Sequence, residues 1–275
     1  MFGVPVETLV VLVIALFGAG LFMGFVSGLF GIGGGAAIVP VLYEVFRVAG
    51  VDEAIRMHMS IGTSLAIMLP TTLHSFRAHR AKGSADLDVL KAFAPPLVIG
   101  IGLGTLIAKV ASAAALTWVW AIAFTIFALK SLFGRDDWRL GDEVPRGAGL
   151  VLYAVFTGIM STLMSIGGGV FMTTMMTLYN RPLLQAIGTS SGIGPIISGV
   201  GTAGFIWAGW TIVGRPPLSL GYVNLLAVAA TIPASLFAAP FGVRVAHGLP
   251  KRRLEIGFAL FALLVSVRFI YAAVT

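Results

Sequence analysis

Runs of about 20 apolar residues follow one another along almost the whole of this chain, and that pattern leaves few folds open. A bilayer core admits only elements that satisfy their own backbone hydrogen bonds, which for runs of this length means helices. With 58% hydrophobic residues, 11% charged residues and a mean hydropathy of +0.99, the chain is more apolar than a soluble core of its size requires. The expected class is an all-α polytopic membrane protein. The longest polar stretch, Gly134 to Arg146, is too short for a soluble domain. The net charge of +7 is expected from basic loops on one membrane face rather than from a nucleic-acid partner. The chain has no cysteine, hence no disulfide or thiolate chemistry. Metal-ligand clusters, phosphate loops and nucleic-acid motifs are absent, so no cofactor is expected. The start, MFGVPVETLV, carries no Lys or Arg before its apolar run and does not read as a cleaved signal peptide.

Two of the apolar runs are broken by glycine triplets: Gly33, Gly34 and Gly35, then Gly167, Gly168 and Gly169. Each glycine costs a helix about 1 kcal/mol relative to alanine. The short stretches that follow, Ala36 to Phe46 and Val170 to Tyr179, cover about half a bilayer at 1.5 Å per residue. Broken helices are therefore expected at membrane depth. Half-helices starting at Ala36 and Val170 would present unpaired N–H groups and a positive dipole end, an anion-binding arrangement. The bland alternative is that the triplets allow close helix packing.

The breaks belong to a longer internal similarity. Gly24 and Gly158, Ser27 and Ser161, and Ile32 to Gly35 against Ile166 to Gly169 all stand 134 positions apart. Ile61-Gly62-Thr63-Ser64 matches Ile187-Gly188-Thr189-Ser190 at 126. The expected organisation is a repeat over residues 1–133, a cytoplasmic linker over 134–146 and a second repeat over 147–275. Placing Arg77 to Lys82, the linker and His247 to Arg253 in the cytoplasm puts thirteen Lys and Arg inside and five outside. The helix Met57 to Phe76 then runs inward and its partner Leu183 to Trp207 runs outward. The repeats are thus expected to be inverted, with re-entrant hairpins meeting at the midplane.

Thr63, Ser64, Thr189 and Ser190 fall on partner helices. Such hydroxyls either bond back to their own helix or donate to an anion. His58 and His74 flank one helix as packing or interfacial histidines, with proton transfer the less favoured role. Lys130 and Arg268 lie near helix ends and are expected to snorkel. Ser27 with His58 or His74 raises an alternative from another class, an intramembrane serine protease.

At Gly28 to Pro40, Ile61 to Ser64, Ser165 to Gly169 and Ile187 to Ser190 the chain resembles the TauE/SafE family of sulfite and organosulfonate exporters. The resemblance, supported by length, duplication and hydropathy, covers almost the whole chain. It implies a plasma-membrane permease of bacterial type that exports a small sulfur-containing anion such as sulfite, sulfoacetate or a related sulfonate. The expected substrate-binding residues are Gly33, Gly34, Gly35, Ala36, Thr63, Ser64, Gly167, Gly168, Gly169, Val170, Thr189 and Ser190. No enzymatic activity is expected, and an anion channel of the same fold is the nearer alternative. Thr174 stands where the first half has Pro40, so the two half-helices are not strictly equivalent.

Overall fold

A computed structural model describes residues 6–30, 35–133, 139–141, 143–145 and 147–274. Gly33 and Gly34 lie outside the described residues, as does most of the expected linker. Among the described residues the chain forms ten α-helices. They are α1 (Val6–Phe30), α2 (Gly35–Val48), α3 (Glu53–Ala81), α4 (Leu87–Val110), α5 (Ala113–Phe133), α6 (Ala148–Met164), α7 (Gly169–Leu178), α8 (Leu183–Ala208), α9 (Leu225–His247) and α10 (Lys251–Val274). Five of them, α4, α5, α8, α9 and α10, are long and apolar enough to cross a bilayer. The chain is an all-α, multi-pass membrane protein. Its outer faces carry large apolar side chains such as Ile99, Ile122, Ile126, Leu260 and Leu264, while Ser60, Thr63, Ser64, Thr189 and Ser198 are buried. This is the distribution expected when lipid rather than water surrounds the bundle.

Helix ends follow local chemistry. The expected segment Met57 to Phe76 extends to Glu53–Ala81 because Asp52 caps Ala54 N–H at one end and Glu53 complements the dipole there. Arg77, His79 and Arg80, expected in a loop, lie in the last turns of α3, where cations favour the dipole's negative end. The apolar run Leu218 to Val245 reads as one spanning segment, but the structure divides it. Its start is a small hairpin, with Ser219 paired to Asn224 and Leu220 to Val223, and α9 begins only at Leu225.

The most extensive helix contacts join α1 to α9, α4 to α6, α5 to α10 and α3 to α8. Close approaches give the directions. Gly20 meets Thr231 and Ala234, and Gly28 meets Ala239 and Val243, so α1 and α9 run parallel. Gly100 meets Val155 and Gly104 meets Thr162, so α4 and α6 do too. In contrast α3 and α8 are antiparallel, with Gly62 at Phe205, Leu65 at Gly201 and Thr72 at Gly194. So are α5 and α10, where Thr125 Oγ1 is 2.7 Å from Ser266 Oγ and Ser131 donates to Glu255 O. Glycine makes the parallel pairs possible. A Cβ at Gly24 would stand 2.3 Å from Ser235 O, and one at its counterpart Gly158 2.4 Å from Leu97 O.

The two IGTS motifs dock the starts of α4 and α9. Thr63 Oγ1 accepts the N–H of Asn224 at 3.0 Å, and Asn224 is the N-cap of α9. Thr189 Oγ1 accepts the N–H of Asp86 at 2.9 Å, and Asp86 is the N-cap of α4. Two residues earlier in each segment, Tyr222 O and Ser84 O would be 2.7 and 2.4 Å from a Cβ on Gly62 and Gly188. The glycine admits the backbone and the threonine pins it, once in each half. Thr189 also donates to Gln185 O at 2.8 Å.

Removing these pins should therefore cost stability. Thr63→Val and Thr189→Val each leave an N-cap N–H without its acceptor, a loss of about 1–3 kcal/mol. Thr63→Val should cost more, because the N–H of Asn224 is the more deeply buried. Thermal melting of the detergent-solubilised variants measures this. Unchanged melting of both, with weakened anion binding, would return these hydroxyls to the ligand.

Candidate functional site

The start of α2 meets the end of α6 in the middle of the bundle. Helix α6 ends at Met164, and its C-cap Ser165 takes a left-handed conformation with φ 46°. Its freed backbone groups are covered one by one. Ile166 N–H bonds Ser161 O at 3.0 Å, and the fully buried Trp120 donates its indole N–H to Leu163 O at 3.2 Å. Ser165 O faces Gly35, the first residue of α2, so closely that a Cβ there would be 1.6 Å away. Ser165 Oγ donates to Ser64 Oγ at 2.9 Å, which places Ser64 at the junction. Met68, near the middle of α3, touches both Gly35 and Ser165.

On one side of this junction lies a cavity of about 740 Å³. Its walls are the second half of α1 (Met23, Gly24, Ser27), the second half of α3 (Ile67, Thr71, Thr72, His74, Ser75), the first half of α8 (Ile187, Ser190, Ser191, Gly194) and part of α9 (Ser235, Leu236, Ala239). It therefore opens toward the end of the bundle that carries the α3–α4 connection. Gly167, Gly169, Val170 and Thr173 form part of the lining. Among the described residues that line it, His74 is the one ionisable side chain, with no carboxylate, Lys or Arg.

Helix α7 starts at this cavity without a side-chain cap. Gly168 has φ 69°, a region that favours glycine, and a Cβ there would meet Ile197 and Ile193 side chains at 2.5 and 2.8 Å. Gly169 differs, since the nearest atom to a Cβ on it would be Ser190 Oγ at 4.0 Å. Ser190 Oγ accepts from Thr173 Oγ1 at 3.1 Å and donates to Ile187 O at 2.9 Å. The free N–H groups of the first turn of α7 thus stand next to two hydroxyls that can turn their protons.

Of the twelve expected site residues, Gly167, Gly169, Val170 and Ser190 line the cavity, and Gly168 shapes the turn behind them. Gly35 and Ser64 sit at the junction, and Ala36 is buried beside it. Thr63 and Thr189 stand apart from the lining because each is engaged by a helix start. Several hydroxyls were not singled out from sequence, among them Thr71, Thr72, Ser75 and Ser235. For the three on α3 the signal was the concentration of small polar residues there; Ser235 lies on α9.

The remaining candidates have other employment. His58 Nε2 lies 3.0 Å from Ala108 O and 3.2 Å from Ala111 O, and its ring stacks on Tyr222 with centroids 4.8 Å apart. It ties α3 to the end of α4 and to the 219–224 hairpin. No hydrogen bond joins Ser27 to a histidine among the described residues. Arg268, expected to snorkel, pairs with Glu44 at 2.8 Å, and Glu44 also pairs with Arg47 at 2.7 Å. Lys130 reaches Thr174 Oγ1 at 3.3 Å.

Comparison with known proteins agrees with this architecture. A "Probable membrane transporter protein" of Haemophilus influenzae is 29% identical over 253 residues, covering 90% of this chain and 94% of the relative. A probable membrane transporter protein of Methanocaldococcus jannaschii is 24% identical, covering 86% and 87%. The probable membrane transporter protein YunE of Bacillus subtilis is also 24% identical, covering 93% and 96%. No solved structure matches the chain. The family described as "Sulfite exporter TauE/SafE" matches residues 16–269, nearly the entire described bundle, and this membrane transporter belongs to that family.

Proposed function

We propose that the chain exports a small sulfur-containing oxyanion, such as sulfite, sulfoacetate or a related sulfonate, across the plasma membrane by alternating access. The observation that carries this reading is the uncapped start of α7 at a cavity lined by several hydroxyls and, among the described residues, by no carboxylate. A helix N-terminus supplies about half a positive charge, and its N–H groups point at the ligand. Gly167, Gly169 and Val170 bring backbone N–H groups to the anion, and Ser190 and Thr173 add hydroxyl donors. Gly168 holds the turn. A cavity with little fixed charge binds such an anion without trapping it, which suits a carrier.

The inverted repeat belongs to the same proposal. Helices at equivalent places, α3 with α8 and α5 with α10, run antiparallel, as a two-fold axis in the membrane plane requires. Helix α1 packs on α9 as α6 packs on α4, each half clasping the other. The cytoplasmic placement of the α3–α4 connection makes this conformation inward-facing. A channel of the same fold is the second reading. Buried Met68, Ile193 and Ile197 around the junction close the cavity's inner end and favour the carrier.

Gly169 supplies the cleanest test. Gly169→Val puts side-chain bulk into open space beside Ser190 at a helical position. It should leave the protein folded and remove most anion binding. Ser190→Ala should weaken binding by about 1.5–3 kcal/mol, the range for hydrogen bonds to a charged group. Titration calorimetry with sulfite, sulfoacetate, sulfate and a carboxylate measures both effects and ranks the anions. Unchanged affinity in both variants would place the site elsewhere. Uptake into liposomes that saturates with concentration supports a carrier, and a linear dependence supports a channel.

A further inference from the structure

The cavity has a counterpart that is shut. On α1 its lining is Met23, Gly24 and Ser27. The residues 134 positions later are Thr157, Gly158 and Ser161 on α6, and all three are buried. On α3 the lining includes Ile67, Thr71 and Thr72. The residues 126 positions later, Ile193, Ile197 and Ser198 on α8, are likewise 0% exposed. These cavity-facing positions of one half thus map onto tightly packed positions of the other, whereas His74 maps onto the exposed Val200.

The packed set carries an anomaly. Thr157 Oγ1, Ser161 Oγ and Thr162 Oγ1 are all buried, and none has a hydrogen-bond partner among the described residues. Helical Ser and Thr usually bond a carbonyl three or four residues back, and Thr117, Thr125, Thr177, Thr189 and Ser198 do so here. Three unpaired hydroxyls within six residues of one helix, each 0% exposed, are costly in a low-dielectric interior. That cost is explained if a second conformation hydrates them.

We infer that Thr157 and Ser161, one turn apart on α6, line a second vestibule for the anion, with Thr162 beside them at the α4 contact; it is closed in this conformation and opens toward the end of the bundle that carries the α4–α5 connection. The inference rests on the inverted-repeat carrier proposed above. It adds the residues that hold the anion on its way out and gives them the same hydroxyl chemistry as the first cavity. Thr162 sits where α4 crosses α6 at Gly104, so movement of α4 over α6 would uncover the face.

Because the chain has no cysteine, single cysteines report accessibility without background. Ser27→Cys, Thr157→Cys and Ser161→Cys are placed in sealed vesicles of both orientations. A membrane-impermeant thiol reagent is applied, with Lys82→Cys and Ser112→Cys marking the two faces. Ser27→Cys should react only from the Lys82 face, and Thr157→Cys and Ser161→Cys only from the Ser112 face. Reaction of the α6 cysteines from the Lys82 face, or from neither face while Ser27→Cys reacts, would overturn the inference. A second measurement does not depend on cysteines in α6. Ser161→Ala with Thr157→Val removes hydroxyls left unpaired in the closed state and should favour that state, speeding the labelling of Ser27→Cys and slowing flux. Unchanged labelling and flux would mean that the hydroxyls only hold buried water. Labelling is read without substrate. Two-sided labelling without sulfite flux therefore overturns the oxyanion reading alone, and saturable sulfite flux with one-sided labelling overturns the vestibule alone.

Discussion

Every backbone group freed at membrane depth must find a partner inside the protein, and the architecture of this chain is arranged around that demand. A break in α6 releases carbonyls and N–H groups in the middle of the bundle. Trp120 takes one carbonyl, a tight turn through Ile166 takes another, and Ser165 bonds Ser64. The remaining bulk is accommodated by Gly35, whose missing Cβ lets the first residue of α2 lie on Ser165 O. The start of α7 has no side-chain cap and faces a largely apolar cavity that carries several hydroxyls. One end of the break is thus closed with protein, and the other remains available to a ligand. That asymmetry is what the proposed anion site rests on.

The same economy appears in the IGTS motifs. A glycine next to a threonine on a buried helix admits a neighbouring backbone and then bonds it, which fixes where α4 and α9 begin. These two helices clasp α6 and α1. The motif threonines therefore act on the site through helix placement, while the serines that follow them reach the break and the cavity. Adjacent residues of one motif divide structure and chemistry between them.

Much of this was legible in the residues. The break before α7 and the short helices α2 and α7 follow from glycine triplets and hydropathy, because each has a strong local cause. The roles of Thr63 and Thr189 did not, since a buried hydroxyl looks alike whether it meets an anion or a distant N–H. The glycines before them were the available signal for packing. The 219–224 hairpin was missed because its few residues, between Pro217 and an apolar run, continue the hydropathy of α9. Glu44 was passed over as a single acid in an apolar stretch, although Arg268 at a similar distance from a helix end offered its partner.

The central claim, that the start of α7 holds the anion, can be tested by locating the anion directly. Selenite is a close electronic analogue of sulfite and scatters anomalously. Crystals of the protein grown with selenite should show an anomalous peak within hydrogen-bonding distance of the Gly169 and Val170 N–H groups and of Ser190 Oγ. A peak at His74 or at a basic loop, with none beside α7, would contradict the account.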